Sequence, residues 1–281
     1  MFLLHSLDLS YSIAGLGVGF LVGMTGMGGG SLMTPLLILV FGIHPVTAVG
    51  TDLLYAAATK AGGSLVHGLS GTVEWHIVRR LATGSVPASV VTLMVLSPLD
   101  LNGHIVHELV TFVLSGALLA TAGALVFRRR ILATYAARIH EMSQRDTAGS
   151  TVLVGAILGV VVPICSVGAG AIGVTMLVLL YPRLPMARIV GTDIAHAVPL
   201  TLVAGIGHWM LGSVDWPILG SLLAGSLPGI VLGSYLSFRV PQTVLRLILA
   251  ATLVVVASKL AVDELHSQLQ TTAATPQSGM H

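Results

Sequence analysis

Two aspartates, Asp52 and Asp193, lie inside long apolar stretches of the chain. A carboxyl group within the hydrocarbon of a membrane is costly, so such residues commonly carry a proton, bind a cation or contact a substrate. A structural role competes with these, because a carboxylate also accepts hydrogen bonds from backbone N–H groups freed where a membrane helix is broken. Both interpretations stay open. Thr51 and Thr192 directly precede the aspartates, and their hydroxyls are candidates for direct contact with a substrate.

A glycine-rich segment at residues 23–31 indicates a break before a short apolar run. Glycines let the backbone approach a ligand closely, and the helix that follows offers unpaired N–H groups and the positive end of its dipole to an anion. Close helix packing is the competing explanation, but a short run follows the break in both halves of the chain, which favours the anion site. The candidate residues are Gly28, Gly29, Gly30 and Ser31 in the first break and Ser166, Gly168 and Gly170 in the second, weaker copy.

Lys60 is the one cation that the sequence does not place at a membrane boundary. It follows Asp52 by eight residues, about 12 Å along a helix, so the two cannot form an i, i+4 pair. We expect Lys60 to face the substrate; the alternatives are a snorkelling side chain or a pair with a carboxylate on another helix. His196 is a further candidate, because Tyr55 occupies its equivalent position in the repeat described below.

The composition places these residues in a membrane. The 281 residues are 54% hydrophobic and only 9% charged, whereas soluble domains carry about 25% charged residues. The net charge of +2 comes from arginines clustered between apolar runs, which indicates membrane topology rather than nucleic-acid binding. Ten helical segments are predicted, two of which (31–42 and 171–181) are short enough to indicate broken or re-entrant helices near the midplane: 11–24, 31–42, 46–67, 75–96, 105–127, 151–165, 171–181, 186–211, 216–237 and 243–262.

The chain contains an internal repeat with a spacing of 141 residues, and 25–96 shares 19 identities with 166–237 over 72 positions. Five segments per half is an odd number, so the second half enters the membrane from the opposite side, which puts all eleven arginines on one side. The predicted fold is an all-α polytopic membrane protein of two inverted repeats. Its divisions are a first repeat at 1–127, a basic cytoplasmic loop at 128–150, a second repeat at 151–262 and a disordered polar tail at 263–281.

The ordered set of motifs, present in two copies, resembles the TauE/SafE family of sulfite and organosulfonate exporters. The set comprises the glycine-rich break with Pro35, the Val-Gly-Thr-Asp stretch at 49–52 and the turn from His67 to Trp75, within about residues 12–262. The resemblance implies a carrier of the bacterial inner membrane for sulfur-containing oxyanions such as sulfite, sulfoacetate or other organosulfonates. The eroded second glycine segment and Lys60 depart from the family pattern.

The predicted function is therefore secondary transport, with export of a small anion by alternating access around a midplane site. We expect no enzyme activity, no cofactor, no metal and no nucleic-acid partner; the lipid bilayer surrounds the protein, both termini lie outside, and a homo-oligomer is left open. Two alternatives use Asp52 and Asp193 differently, as the dyad of an intramembrane aspartyl protease or as ligands in a cation or metal permease. The scarcity of acidic residues and the presence of Lys60 argue against the permease.

Overall fold

The computed structural model describes residues 8–25, 30–101, 103–139, 143–168, 170–236, 250–251, 253–259 and 262. Within these residues the chain forms helices and no strand, which confirms the predicted all-helical class. Residues 250–251 and 253–259, in the predicted tenth segment, are also helical. The helices are α1 (Leu9–Thr25), α2 (Gly30–Leu39), α3 (Pro45–Leu69), α4 (Trp75–Leu96), α5 (His104–Ile139), α6 (Gln144–Cys165), α7 (Ala171–Leu180), α8 (Met186–Met210) and α9 (Trp216–Leu236).

The lengths of the helices fit a membrane protein. Four of the described helices contain a stretch long and apolar enough to cross a membrane: His104–Phe127, Arg145–Cys165, Met186–Met210 and Trp216–Gly233. Helix α3 has 25 residues but carries Asp52 and Lys60, and α4 has 22 residues but carries two arginines. Helices α2 and α7 have ten residues each, about 15 Å, so both predicted short segments are short helices.

Helix α5 continues past the end that the sequence predicted. It runs to Ile139, through the arginines at 128–130, and α6 begins at Gln144. The segment 128–150, described above as a loop, is therefore mostly helical. Arginine favours helix, and residues 128–145 contain neither Gly nor Pro, so the arginines mark the end of the apolar stretch rather than the end of the helix. The tail at 263–281 lies outside the described residues.

Helices α3 and α8, which are equivalent in the repeat, cross at the centre of the molecule in an antiparallel sense. Leu54 of α3 lies against Gly205 of α8, whereas Gly63, further along α3, lies against Ile194, which comes earlier in α8. The crossing buries ionisable side chains together with apolar ones. The central position of these two helices brings the two halves of the chain together at the residues with candidate functions.

Two parallel helix pairs flank the crossing, and each joins one half of the chain to the other. Helix α1 packs along α9, and α4 packs along α6. Gly84 of α4 and Gly225 of α9 occupy equivalent repeat positions, and a methyl group at either would collide with a carbonyl oxygen of the facing helix. Successive residues of α9 face successive turns of α1 in the same order: Gly225 against Ser12, Gly229 against Leu16 and Gly233 against Phe20. Small residues thus set a close distance between the helix axes.

Equivalent turns follow α3 and α8. His67 Nδ1 lies 2.9 Å from Thr72 Oγ1, and His208 Nδ1 lies 2.9 Å from Ser213 Oγ. Each turn contains a glycine in the left-handed conformation, which a glycine adopts without steric cost: Gly71 with φ 65° and Gly212 with φ 73°. The sequence repeat is therefore matched by a repeat in local geometry.

Candidate functional site

Asp52 links the short helix α2 to the central helix α3. Its side chain is fully buried, and its Oδ2 accepts a hydrogen bond of 2.5 Å from the Thr34 hydroxyl of α2. Ser166, the left-handed residue that ends α6, also lies beside this carboxylate. The other oxygen, Oδ1, has no hydrogen-bond partner among the described residues. Asp52 thus contacts the neighbouring short helix through the Thr34 hydroxyl, and the backbone bond that the sequence suggested stays a prediction.

Asp193 meets the short helix α7 in the corresponding place. It is 3% exposed, and its Oδ1 lies so close to Gly173 that a Cβ atom there would collide with it. Thr175, the repeat-equivalent of Thr34, instead donates to the Ala171 carbonyl oxygen of its own helix at 2.7 Å. Asp193 Oδ1, like that of Asp52, has no hydrogen-bond partner in the described part of the chain. A buried carboxylate therefore lies against the N-terminal half of each short helix, at Thr34 of α2 and at Gly173 of α7.

Lys60 lies between the two halves of this cluster. Its side chain is 7% exposed, and it interacts electrostatically with both Asp52 and Asp193. The sequence left open whether Lys60 pairs with a carboxylate or faces a substrate. Because α3 carries Asp52 and α8 carries Asp193, a carboxylate on each of the two central helices attracts the Lys60 ammonium.

His196 is fully buried on α8, and its Nε2 lies 2.9 Å from the hydroxyl of Ser85 on α4. Lys60 also acts on this imidazole electrostatically. Tyr55, at the equivalent position of the first half, is buried beside Ser226, the equivalent of Ser85. Sequence reasoning named His196 but missed Ser85, Ser226 and Thr34. The signal was present, because each of these residues is identical to its equivalent in the repeat.

The candidate glycines divide between described and undescribed residues. Gly28 and Gly29 lie outside the described residues, and Gly30 is the first residue of α2. In the second break, Gly168 has φ 123° and its carbonyl oxygen accepts from Gly173 N at 3.2 Å, in the first turn of α7. Gly170 is the N-cap of α7, with open space where a side chain would lie. The eroded second copy therefore keeps a glycine where the backbone needs one.

Thr51 and Thr192 each accept a hydrogen bond from a backbone N–H of the opposite half. The Thr51 hydroxyl accepts a hydrogen bond of 3.0 Å from Asp215 N, and the Thr192 hydroxyl accepts one of 3.0 Å from Glu74 N. Each threonine therefore contacts the turn that follows the central helix of the opposite half, α8 for Thr51 and α3 for Thr192, rather than the carboxylate cluster. Direct contact of these hydroxyls with a substrate stays a prediction, and in this conformation they tie the halves together.

The cluster can bind a small anion through the Lys60 ammonium and can hold a proton on Asp52, Asp193 or His196. The oxygen atoms of a bound anion would be attracted strongly to the ammonium in a site that excludes water, because the local dielectric constant is low. A metal permease would need several ligands around one point. Among the described residues, no three His, Cys, Asp or Glu side chains come together in that way.

Comparisons with known proteins show the family to which the chain belongs. The model of a family described as Sulfite exporter TauE/SafE matches residues 11–260. The Bacillus subtilis (strain 168) protein named "Probable membrane transporter protein YjnA" is 36% identical over 221 residues, which make up 77% of this chain and 85% of that protein. A Xylella fastidiosa (strain 9a5c) protein named "Probable membrane transporter protein" is 28% identical over 219 residues, 76% of this chain and 78% of its own. No solved structure matches.

The family match includes all of the helices from α2 to α9 and most of α1. The relatives are named as transporters and not as enzymes, so the aspartyl protease alternative gains no support, and duplication alone accounts for the two equivalent aspartates. The chain is a membrane transporter, and it belongs to the TauE/SafE family.

Proposed function

We propose that this transporter exports small sulfur-containing anions, such as sulfite, sulfoacetate or other organosulfonates, across the bacterial inner membrane. The observation that carries the proposal is the buried ammonium of Lys60 at the crossing of α3 and α8. An intramembrane cation is costly, and such residues commonly mark the path of a substrate of opposite charge. The family description, which names sulfite, supplies the substrate class and the direction.

The charges of the cluster bear on what accompanies the anion. Lys60 faces two carboxylates, so the three groups together carry a net negative charge when all are ionised. A like charge disfavours an arriving anion, and a proton on Asp52, Asp193 or His196 removes that repulsion. We therefore propose that the anion enters with a proton held by one of these groups. The membrane potential still favours export, because a dianion that leaves alone gains about 4.6 kcal/mol per 100 mV and one that leaves with a proton gains about half of that.

Alternating access needs two halves that exchange roles, and we propose that these are inverted repeats. The antiparallel crossing of the equivalent helices α3 and α8 supports the inversion. The two flanking helix pairs support the inversion too. Helix α1 packs on α9, and its repeat-equivalent α6 packs on α4, which is the repeat-equivalent of α9. We further propose that α2 and α7 are re-entrant helices that begin near the midplane, since the N-terminal half of each contacts a buried aspartate. Two such half-helices point their N-termini at one central site.

Export can be measured in proteoliposomes loaded with radiolabelled sulfite. We expect efflux to depend on the protein, to be inhibited by organosulfonates and to be faster with the interior negative. At a clamped potential of about 60 mV, the ratio of external to internal sulfite concentration should reach about tenfold at equilibrium if one net charge moves with each sulfite. The ratio should reach about a hundredfold if two net charges move. The measured ratio therefore shows whether a proton accompanies the sulfite dianion. The anion assignment would be contradicted if proteoliposomes released sulfite no faster than protein-free liposomes and instead transported a divalent cation.

The orientation is tested by reporter fusions. All arginines fall on one side of the proposed inverted topology, and the positive-inside rule makes that side cytoplasmic. A reporter that is active only in the periplasm should therefore be active after residue 262 and silent when inserted between Ile139 and Gln144. If both fusions reported the same side of the membrane, the second half would contain an even number of membrane crossings, and the model of five segments per half would be wrong.

A further inference from the structure

Two equivalent contacts lie at opposite ends of the α3–α8 crossing. The start of α3 meets the turn that follows α8: Thr51 accepts from Asp215 N, and Gly50 packs against Ser213. We call this set, Gly50 and Thr51 with residues 211–215, the α3 contact. Because the helices are antiparallel, the start of α8 meets the turn that follows α3 at the other end.

The second set, Gly191 and Thr192 with residues 70–74, is the α8 contact. Thr192 accepts from Glu74 N at 3.0 Å. A Cβ atom on Gly191 would lie 2.7 Å from the carbonyl oxygen of Thr72, so the turn rests directly on the helix backbone. The buried cluster with Lys60 lies between the α3 contact and the α8 contact along the two central helices.

The two contacts differ in charge. At the α8 contact, Arg188 Nη1 donates to Glu74 Oε1 at 2.5 Å, and His76 Nδ1 lies 3.5 Å from the other carboxylate oxygen. At the α3 contact, the equivalent of Arg188 is Thr47 and the equivalent of His76 is Pro217. The carboxylate there, Asp215, accepts instead from Ile218 N of α9 at 2.9 Å. Among the residues that the structure describes, one end of the crossing thus has an ion pair that its equivalent lacks.

We infer that the α3 contact and the α8 contact are the two gates of the transporter, and that the Arg188–Glu74 pair makes the α8 gate the more stable of the two. The inference rests on the proposed alternating access. It gives Thr51 and Thr192 a role in gating, where the sequence had suggested substrate contact. On this inference, one exposed ion pair decides which gate opens more readily. Substitutions that remove the pair from the α8 gate, or build one at the α3 gate, should reverse that preference.

Hydrogen exchange of the full-length protein in nanodiscs, without any anion, reports both gates at once. The amides of Glu74 and Asp215 are themselves the donors of the gate hydrogen bonds. For Arg188→Thr we expect exchange in peptides covering 70–74 to rise about twofold to fivefold, the range that an exposed ion pair supports. Exchange in 211–215 should fall, because opening one gate requires the other to be closed.

Thr47→Arg is the matched variant, since it places an arginine opposite Asp215 at the α3 gate. It should slow exchange in 211–215 and raise it in 70–74, and Arg188→Lys should stay near wild type. The inference is overturned if hydrogen exchange changes in only one of the two turns, or in the same direction in both. The ion pair would then only stabilise its own turn. If Arg188→Thr fails to fold, Thr47→Arg alone decides, because it removes no contact at the α8 gate. Sulfite flux is not needed for this result, so the gating inference and the substrate proposal fail independently.

Discussion

Lys60→Met is expected to lower the free energy of unfolding by about 3 kcal/mol, the cost of leaving a buried charge without its partner. The loss should appear without any ligand, because Lys60 interacts with the buried carboxylates of Asp52 and Asp193. Sulfite should no longer raise the melting temperature of the variant, since the cation that attracts it is gone. The measurement is the thermal midpoint of wild type, Lys60→Met and Lys60→Arg, each with and without sulfite.

A double variant separates the charge from the packing of this side chain. Lys60→Met with Asp193→Asn should recover much of the lost stability, because the stranded carboxylate is removed along with the ammonium. It should not recover the response to sulfite. A single Lys60→Met protein that is as stable as wild type and still binds sulfite would contradict both roles of Lys60.

Gly84→Ala is expected to destabilise the protein by about 1–3 kcal/mol, the usual cost of forcing extra volume into a packed contact. The new Cβ atom would collide with the Val152 carbonyl oxygen where α4 packs along α6. Gly225→Ala should behave alike at the α1–α9 contact, where the obstacle is the Ser12 carbonyl oxygen. Thermal midpoints measure both.

Gly116 in α5 is the matched control, because nothing lies within 4 Å of a Cβ atom placed there. Gly116→Ala should leave stability unchanged or raise it by up to about 1 kcal/mol, since alanine favours helix over glycine. Equal losses for Gly84→Ala and Gly116→Ala would mean that helix propensity, rather than the close approach of two backbones, decides the effect.

The helices were largely predictable, and the exceptions have a physical cause. Apolar runs report which residues lie in hydrocarbon, so they located α1 to α4 and α7 to α9 to within a few residues, whereas α6 begins seven residues before its apolar run, at Gln144. Helix α5 extends twelve residues beyond its apolar run, to Ile139, because arginines leave the bilayer without leaving the helix. Hydropathy marks the membrane boundary, and only Gly, Pro or capping residues mark a helix end.

The site was predictable by residue but not by partner. The repeat identified Thr51, Asp52, Thr192 and Asp193 as special positions, and all four are buried. It could not show that Thr51 meets Asp215, because contacts between residues far apart in the chain are set by how the helices pack. The role expected of the first glycine segment falls at Gly28 and Gly29, outside the described residues. Lys60 stood out because it breaks the repeat, but its two carboxylate partners became evident only from the crossing of α3 and α8.

The pairing of α1 with α9 and of α4 with α6 has a consequence for how such a chain originated. Both close interfaces join opposite halves of the chain, so a single five-helix unit would leave the glycine-lined faces of its first and fourth helices uncovered. With the inverted topology proposed above, a second copy inserted upside down would have buried those faces before the duplication. The ancestor was on this view a dual-topology dimer, and fusion of its two genes let the halves diverge, so that Lys60 occurs only in the first half and His196 only in the second.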